Sequence, residues 1–299
     1  MKTTGSIVFI VLLVVSILHL PEIQADSRNS DEDKPVYYYG IMPVQKGQPL
    51  DEIRTIYKPI LTWLGAEVGC RFILVHGQTY EDIINMVVDG KVQVATLGPV
   101  PYVIAKKKNA KLKLLASELY WDAGKKKPHD SYSGYILALK TREDIKMFQD
   151  FKGKKFAFVN RQSTSGYRYP KFLLSSKGLT LEDFFAKTFF LGSHPRVTDA
   201  IAAGSVDGGA TYNYNFRQAV KKHGNVFKVI VESPPMPSQA IVAHPSLPDD
   251  ICAKIQKALP TIDPALLKGI GGYGYVIRKD SFYDFVRSII RQSEKIKAN

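Results

Sequence analysis

From Val36 to Leu97 the chain alternates short apolar runs with longer amphipathic ones, and that alternation leaves few folds open. Val36 to Met42, Arg71 to His76 and Gln93 to Leu97 read as strands, with helices over Leu50 to Leu64 and Glu81 to Val88 between them. Strands joined by single helices pack as parallel neighbours, so an α/β sheet is expected. The second helix has Thr79 with Asp82 three residues on, a capping-box start, and its Ile83, Ile84, Val87 and Val88 share one face. Gly98-Pro99 then turns the third strand into a helix carrying Tyr102.

A second α/β unit begins near Tyr132, with strands Tyr135 to Leu139, Lys155 to Val159, Lys187 to Leu191, Gly208 to Thr211 and Phe227 to Val231. The stiff stretch Ser233-Pro234-Pro235-Met236-Pro237 follows. After it come a strand over Gln239 to Ala243, a helix from Asp249, and a last helix with Phe282, Phe285, Val286, Ile289 and Ile290 at helical spacing. These late elements are too few for a third domain, so they are expected to complete the first. The expected organisation is a domain of 35–133 with 237–299 and a domain of 134–236, joined by two crossings. Two crossings make a hinge, with the ligand in the cleft at the carboxyl ends of the strands.

The N-terminus does not belong to that fold. Lys2 precedes an uncharged apolar run from Ser6 to Leu18, and Ile23-Gln24-Ala25 offers a small residue at the cut, so 1–25 read as a cleaved secretory signal peptide. The polar stretch 26–34 reads as a disordered leader. No cysteine lies near the cut for a lipid anchor, so a free protein retained in a periplasm is expected. The net charge of +13 survives processing because Lys2 and Glu22 leave together. The lysines are scattered in short groups such as Lys106-Lys107-Lys108, which is the pattern of solvated faces rather than of a nucleic-acid interface. Cys70 and Cys252, the two cysteines, could pair in an oxidising compartment; Cys70 enters a strand and Cys252 sits in a helix, where free buried thiols are common.

Lys155 to Pro170, KFAFVNRQSTSGYRYP, is the segment with chemistry. A short apolar strand runs into Ser163, Thr164 and Ser165, then Gly166, then a helix. One serine there would be an ordinary N-cap. Three hydroxyls with a glycine exceed what a cap needs, and with the free N–H groups of the helix start they form a cradle for a tetrahedral oxyanion. Ser163 has no identifiable base, and the mature histidines show no ligand spacing, so neither a phosphoesterase nor a metal site is expected.

With this cradle in order with LGPVPYV at Leu97 to Val103, GSHPRVTDAIAAGSVDGGATY at Gly192 to Tyr212 and SPPMPS at Ser233 to Ser238, the chain resembles the phosphate/phosphite/phosphonate substrate-binding proteins of ABC importers, over roughly Val36 to Arg291. The resemblance implies a two-domain periplasmic-binding-protein fold of type II-like build. It implies phosphoryl contacts from Ser163, Thr164, Ser165 and Gly166, from Tyr80 and Tyr102 in the first domain, and from His194 in the second. Relatives that bind aminophosphonates carry carboxylates aligned near Asn213 or Tyr214 and at Gln239, and this chain has none there. A buried ammonium without a carboxylate is costly, so a ligand with an uncharged substituent is expected, and the bulk of Tyr214 suggests a small one. The implied function is a monomeric periplasmic receptor that binds phosphate, phosphite or such a phosphonate and hands it to an inner-membrane ABC permease, without cofactor or catalysis. The alternative keeps the fold and passes the closed state to a membrane sensor kinase.

Overall fold

The computed structural model describes residues 33–43, 49–122 and 126–294. The expected signal peptide, and the leader up to residue 32, lie outside the described residues. The first strand-helix alternation is β1 (Val36–Ile41), α1 (Leu50–Val68), β2 (Arg71–His76), α2 (Tyr80–Val88), β3 (Val94–Leu97) and α3 (Pro99–Lys108). Helix α1 starts with Asp51 and Glu52 on the positive end of its dipole and stops at Gly69, whose φ of 76° suits glycine. Its apolar stripe Ile53, Ile60, Leu61, Leu64 and Val68 is buried. The Thr79–Asp82 capping box forms in both directions, at 3.1 and 2.8 Å, and fixes the first turn of α2.

Next come β4 (Lys113–Asp122), β5 (Lys127–His129), β6 (Ser131–Tyr132), β7 (Gly134–Leu139), β8 (Lys155–Phe158), α4 (Tyr169–Ser175), α5 (Leu181–Phe184) and β9 (Lys187–Phe190). They are followed by α6 (His194–Ala202), β10 (Gly208–Tyr212), α7 (Asn213–His223), β11 (Phe227–Glu232), β12 (Met236–Pro237), β13 (Ala240–Ala243), α8 (Asp249–Ala258), β14 (Gly274–Val276) and α9 (Asp284–Glu294). The first sheet has the order β14-β4-β13-β3-β1-β2, with β5 against β4. Strands β2, β1 and β3 are parallel, as the alternation requires, while β13, β4 and β14 pair antiparallel. The ten-residue strand β4, which pairs with β13, β14 and β5, was not expected from the sequence; nor was β14.

The second sheet, β11-β7-β10-β8-β9, is also mixed: β8 lies parallel to β10 and β9, and β7 runs antiparallel to β10 and β11. Its strand β8 is apolar without alternation, Phe156-Ala157-Phe158, and all three side chains are fully buried, as in a strand covered on both faces. The two crossings between sheets meet each other. Met236 pairs with Tyr132 and Pro237 with Ser131 in a short antiparallel ribbon, and the Gly134 N–H donates to Ser233 Oγ at 2.8 Å. Helix α9 reaches both halves: it packs against α3 and against α4, where Ile289 joins Tyr169 and Met236 in one cluster. Cys70 and Cys252 are buried in the first half as free thiols.

Candidate functional site

The carboxyl end of β8 opens into the cradle through a series of local hydrogen bonds. Asn160 Oδ1 accepts from the Gln162 N–H and Asn160 O from the Ser163 N–H, both at 2.9 Å, which bends the chain away from the strand. Ser163 Oγ then accepts from the Gly166 N–H at 3.1 Å. Residues Thr164–Arg168 form a wide helical turn in which the Tyr169 N–H reaches back to Thr164 O, a geometry that recurs at functional sites, and α4 continues from it. Gly166 folds back onto the strand, its carbonyl accepting from the Val159 N–H at 3.1 Å. A Cβ there would lie 2.4 Å from Val159 Cγ2 and 2.8 Å from Ser163 Oγ. The glycine thus lets the turn close against the strand.

Ser163, Thr164 and Ser165 line a cavity of about 570 Å³, counted with its open mouth, together with Tyr80, Tyr132, His194 and Gln239. Tyr80 sits at the first position of α2 and Tyr132 in the crossing ribbon. Burial pushes the Tyr80 phenol up to about 12, with the neighbouring Ser163 hydroxyl pulling back a little. Burial also raises the Tyr132 phenol, against the pull of Thr164 and Ser165 beside it. Both phenols are therefore neutral donors pointed at the cradle. The Val100 N–H, in the first turn of α3, donates to Thr164 Oγ1 at 3.0 Å, so the cradle of the second sheet is tied directly to a helix of the first.

His194 enters from the first position of α6. Its Nδ1 lies 3.1 Å from Thr211 Oγ1, which also accepts from Asn215 Nδ2 at 2.9 Å. Thr211 is fully buried, and its hydroxyl hydrogen needs an acceptor; Nδ1 supplies one. The imidazole then carries its hydrogen on Nε2. Burial pushes its pKa down to about 3, so the ring is a neutral N–H donor and not an imidazolium. Tyr212 packs edge-on against it with centroids 4.6 Å apart.

Opposite the cradle, Gln239 Nε2 donates to Glu118 Oε2 at 2.7 Å and lies 3.2 Å from the Tyr120 hydroxyl, which donates to the same carboxylate oxygen at 2.8 Å. With its amide hydrogens engaged, Gln239 keeps Oε1 as an acceptor. Glu118 is 1% exposed, and burial raises its pKa to about 7 against the pull of Tyr120 and Gln239. This carboxylate, and the site tyrosines Tyr120, Tyr132 and Tyr212, were not anticipated from the sequence. Glu118 and Tyr120 lie on β4, the strand that was missed; their spacing of two on a strand next to Gln239 was the signal available.

Six of the ten residues expected at the site line this one cavity: Tyr80, Ser163, Thr164, Ser165, His194 and Gln239. Gly166 supports it from behind. Tyr102 is turned away, since its hydroxyl donates to Asp280 and its ring packs on Tyr283 at 4.6 Å. Asn213 lies in a side pocket, with Oδ1 accepting from the Tyr214 N–H. Tyr214 packs over Gly271, where a Cβ would lie 2.5 Å from its ring, so its bulk does not fill the cavity at the cradle.

Residues 39–283 match the family model described as ABC transporter, phosphonate, periplasmic substrate-binding protein. The phosphate-import protein PhnD of Mycolicibacterium smegmatis is 24% identical over 272 residues, spanning 82% of this chain and 84% of that protein. Among solved structures, a binding-protein component of an ABC phosphonate transporter from Pseudomonas aeruginosa superposes with a TM-score of 0.76 at 19% identity, covering 88% of this chain and 87% of that one. PhnD1 from Prochlorococcus marinus, in complex with methylphosphonate, gives 0.75 at 17% identity, covering 90% and 100%. These two likenesses carry the fold, an α/β periplasmic-binding-protein fold of type II-like build.

Proposed function

The chain belongs to the periplasmic substrate-binding proteins of phosphonate ABC transporters, and we propose that it holds phosphate, phosphite or a phosphonate with an uncharged substituent between its two sheets. Members of this family are receptors for transport and not enzymes. The observation that carries the ligand assignment is the donor set. The cavity is lined by three hydroxyls from the Ser163–Ser165 turn, the four phenols of Tyr80, Tyr120, Tyr132 and Tyr212 and a neutral imidazole N–H, and no described residue lining it bears a charge. Convergent neutral donors suit an oxyanion. A ligand ammonium would find no carboxylate lining the cavity, because Glu118 does not line it and its Oε2 is already shared by Gln239 and Tyr120.

The ligands of relatives, phosphate for the mycobacterial protein and methylphosphonate for the Prochlorococcus one, agree with that chemistry. The proposed working cycle is closure of two bodies, 35–133 with 237–299 and 134–236, over the ligand. The Val100 to Thr164 bond is one that closure makes, and the closed form is what a membrane permease receives. The proposed place of work is the periplasm, as for the family. Calorimetry with phosphate, phosphite, methylphosphonate and 2-aminoethylphosphonate in one series tests the assignment. The uncharged compounds should bind more tightly, and tightest binding of 2-aminoethylphosphonate overturns it.

A further inference from the structure

A second chamber adjoins the phosphoryl cavity on the side away from the cradle. It encloses about 760 Å³, counted with its mouth, and shares Met42, Tyr120, Tyr212 and Gln239 with the first cavity, so the two are continuous around Gln239. Its far wall is apolar, built by Ile53, Ile56 and Tyr57 of α1 and by Ile270. No Lys, Arg, Asp or Glu is among the described residues that line it. Tyr214 closes one side by packing on Gly271. This reverses the sequence-based expectation that Tyr214 restricts ligand size: the ring forms a wall of additional space.

One polar group in that chamber is unaccounted for. His76, at the end of β2, lines it, and its Nε2 is buried with no hydrogen-bond partner among the described residues. An orphaned buried nitrogen in a native fold calls for a partner. Burial also lowers the His76 pKa, so the ring is neutral and compatible with an uncharged guest.

A phosphoryl group whose oxygens are held by the cradle hydroxyls, Tyr80, Tyr132 and His194 keeps one substituent free, and Gln239 and Tyr120, across from the cradle, mark the entrance to the chamber. We infer that this second chamber receives the organic tail of the bound phosphorus compound, an uncharged group apolar or aromatic over most of its surface. The inference rests on the phosphoryl reading of the cradle and extends it from head group to tail. The tail could be joined through carbon or through an ester oxygen, and the shared chemistry is a phosphoryl head on an apolar body.

Calorimetry on the mature protein with methylphosphonate, phenylphosphonate and phenyl phosphate separates the possibilities. Phenyl burial in the chamber should make one of the two aryl compounds bind at least about ten-fold more tightly than methylphosphonate. The tighter of the two identifies a carbon or an ester linkage. Ile56→Trp, which fills the chamber far from the cradle, should erase that advantage and leave methylphosphonate affinity unchanged. Aryl compounds that bind no more tightly than methylphosphonate to the wild-type protein overturn the inference while leaving the phosphoryl reading intact, whether or not the variant folds. Failure of methylphosphonate and inorganic phosphate to bind at all overturns the reading and this inference with it.

Discussion

The two walls of the cavity are built in opposite ways. The cradle wall is three consecutive residues, Ser163 to Ser165, whose turn is shaped by bonds that span at most seven positions in sequence, with the Val100 N–H to Thr164 Oγ1 bond as its long-range tie. The facing wall brings Glu118 and Tyr120 from β4 to Gln239, some 120 residues on, and its order depends on a buried carboxylate. The first arrangement is set mainly by its own backbone. The second exists only when the sheet has assembled. A head group common to a ligand class is well served by the local device, and a tail that varies by the distant one, because the distant wall can change residue by residue without disturbing the turn.

The largest expected break in this comparison falls on the distant wall. Burial raises the Glu118 pKa from its ordinary 4.5 to about 7, so the folded state holds a proton that the unfolded chain releases. The stability linked to that proton is fully present below pH 4.5 and is lost as pH rises through about 7, a change of about 3 kcal/mol. Glu118→Gln should remove this fall; chemical denaturation at pH 5 and pH 8 for both proteins checks it, and equal slopes would show that Glu118 is not the source. On the cradle side, Gly166→Ala forces a methyl against Val159 and should cost about 1–3 kcal/mol of stability, together with displaced hydroxyls and weakened ligand binding.

A smaller effect sharpens the assignment of the tyrosines. Tyr132→Phe should weaken phosphate or phosphonate binding by about 1.5 kcal/mol, the low end for a hydrogen bond to a charged group. Tyr102→Phe should leave affinity unchanged and lower the melting temperature instead, because it strips a donor from Asp280. Affinity loss in the second variant and not the first would reverse the two roles.

What could be read from sequence follows the same division. The cradle was legible because its chemistry is contiguous, and the first three strands because each is a short apolar run set off by an amphipathic helix. Strand β4 was not: Lys113-Leu114-Leu115-Ala116-Ser117-Glu118 has neither clean alternation nor β-branched residues, and a register shift opposite Ile241 and Val242 breaks its periodicity. With it went Glu118. Tyr80 and Tyr102 looked equivalent, both in the first turn of a helix after a strand. Tyr80 is the first residue of α2, whereas Tyr102 is the fourth of α3, about 4.5 Å further along the axis and rotated onto Tyr283. Helix phase relative to a third element decides between them, and no local pattern encodes it.

The account depends above all on the Ser163–Ser165 turn as the seat of the phosphoryl group. Titration of Thr164→Ala with whichever of phosphate or methylphosphonate the wild-type protein binds more tightly is its most direct test. Loss of the hydroxyl removes a donor to the anion and the acceptor for the Val100 N–H, and affinity should fall by about 1.5–3 kcal/mol, roughly ten- to more than a hundred-fold. An unchanged dissociation constant in a variant that melts at the wild-type temperature would contradict the assignment.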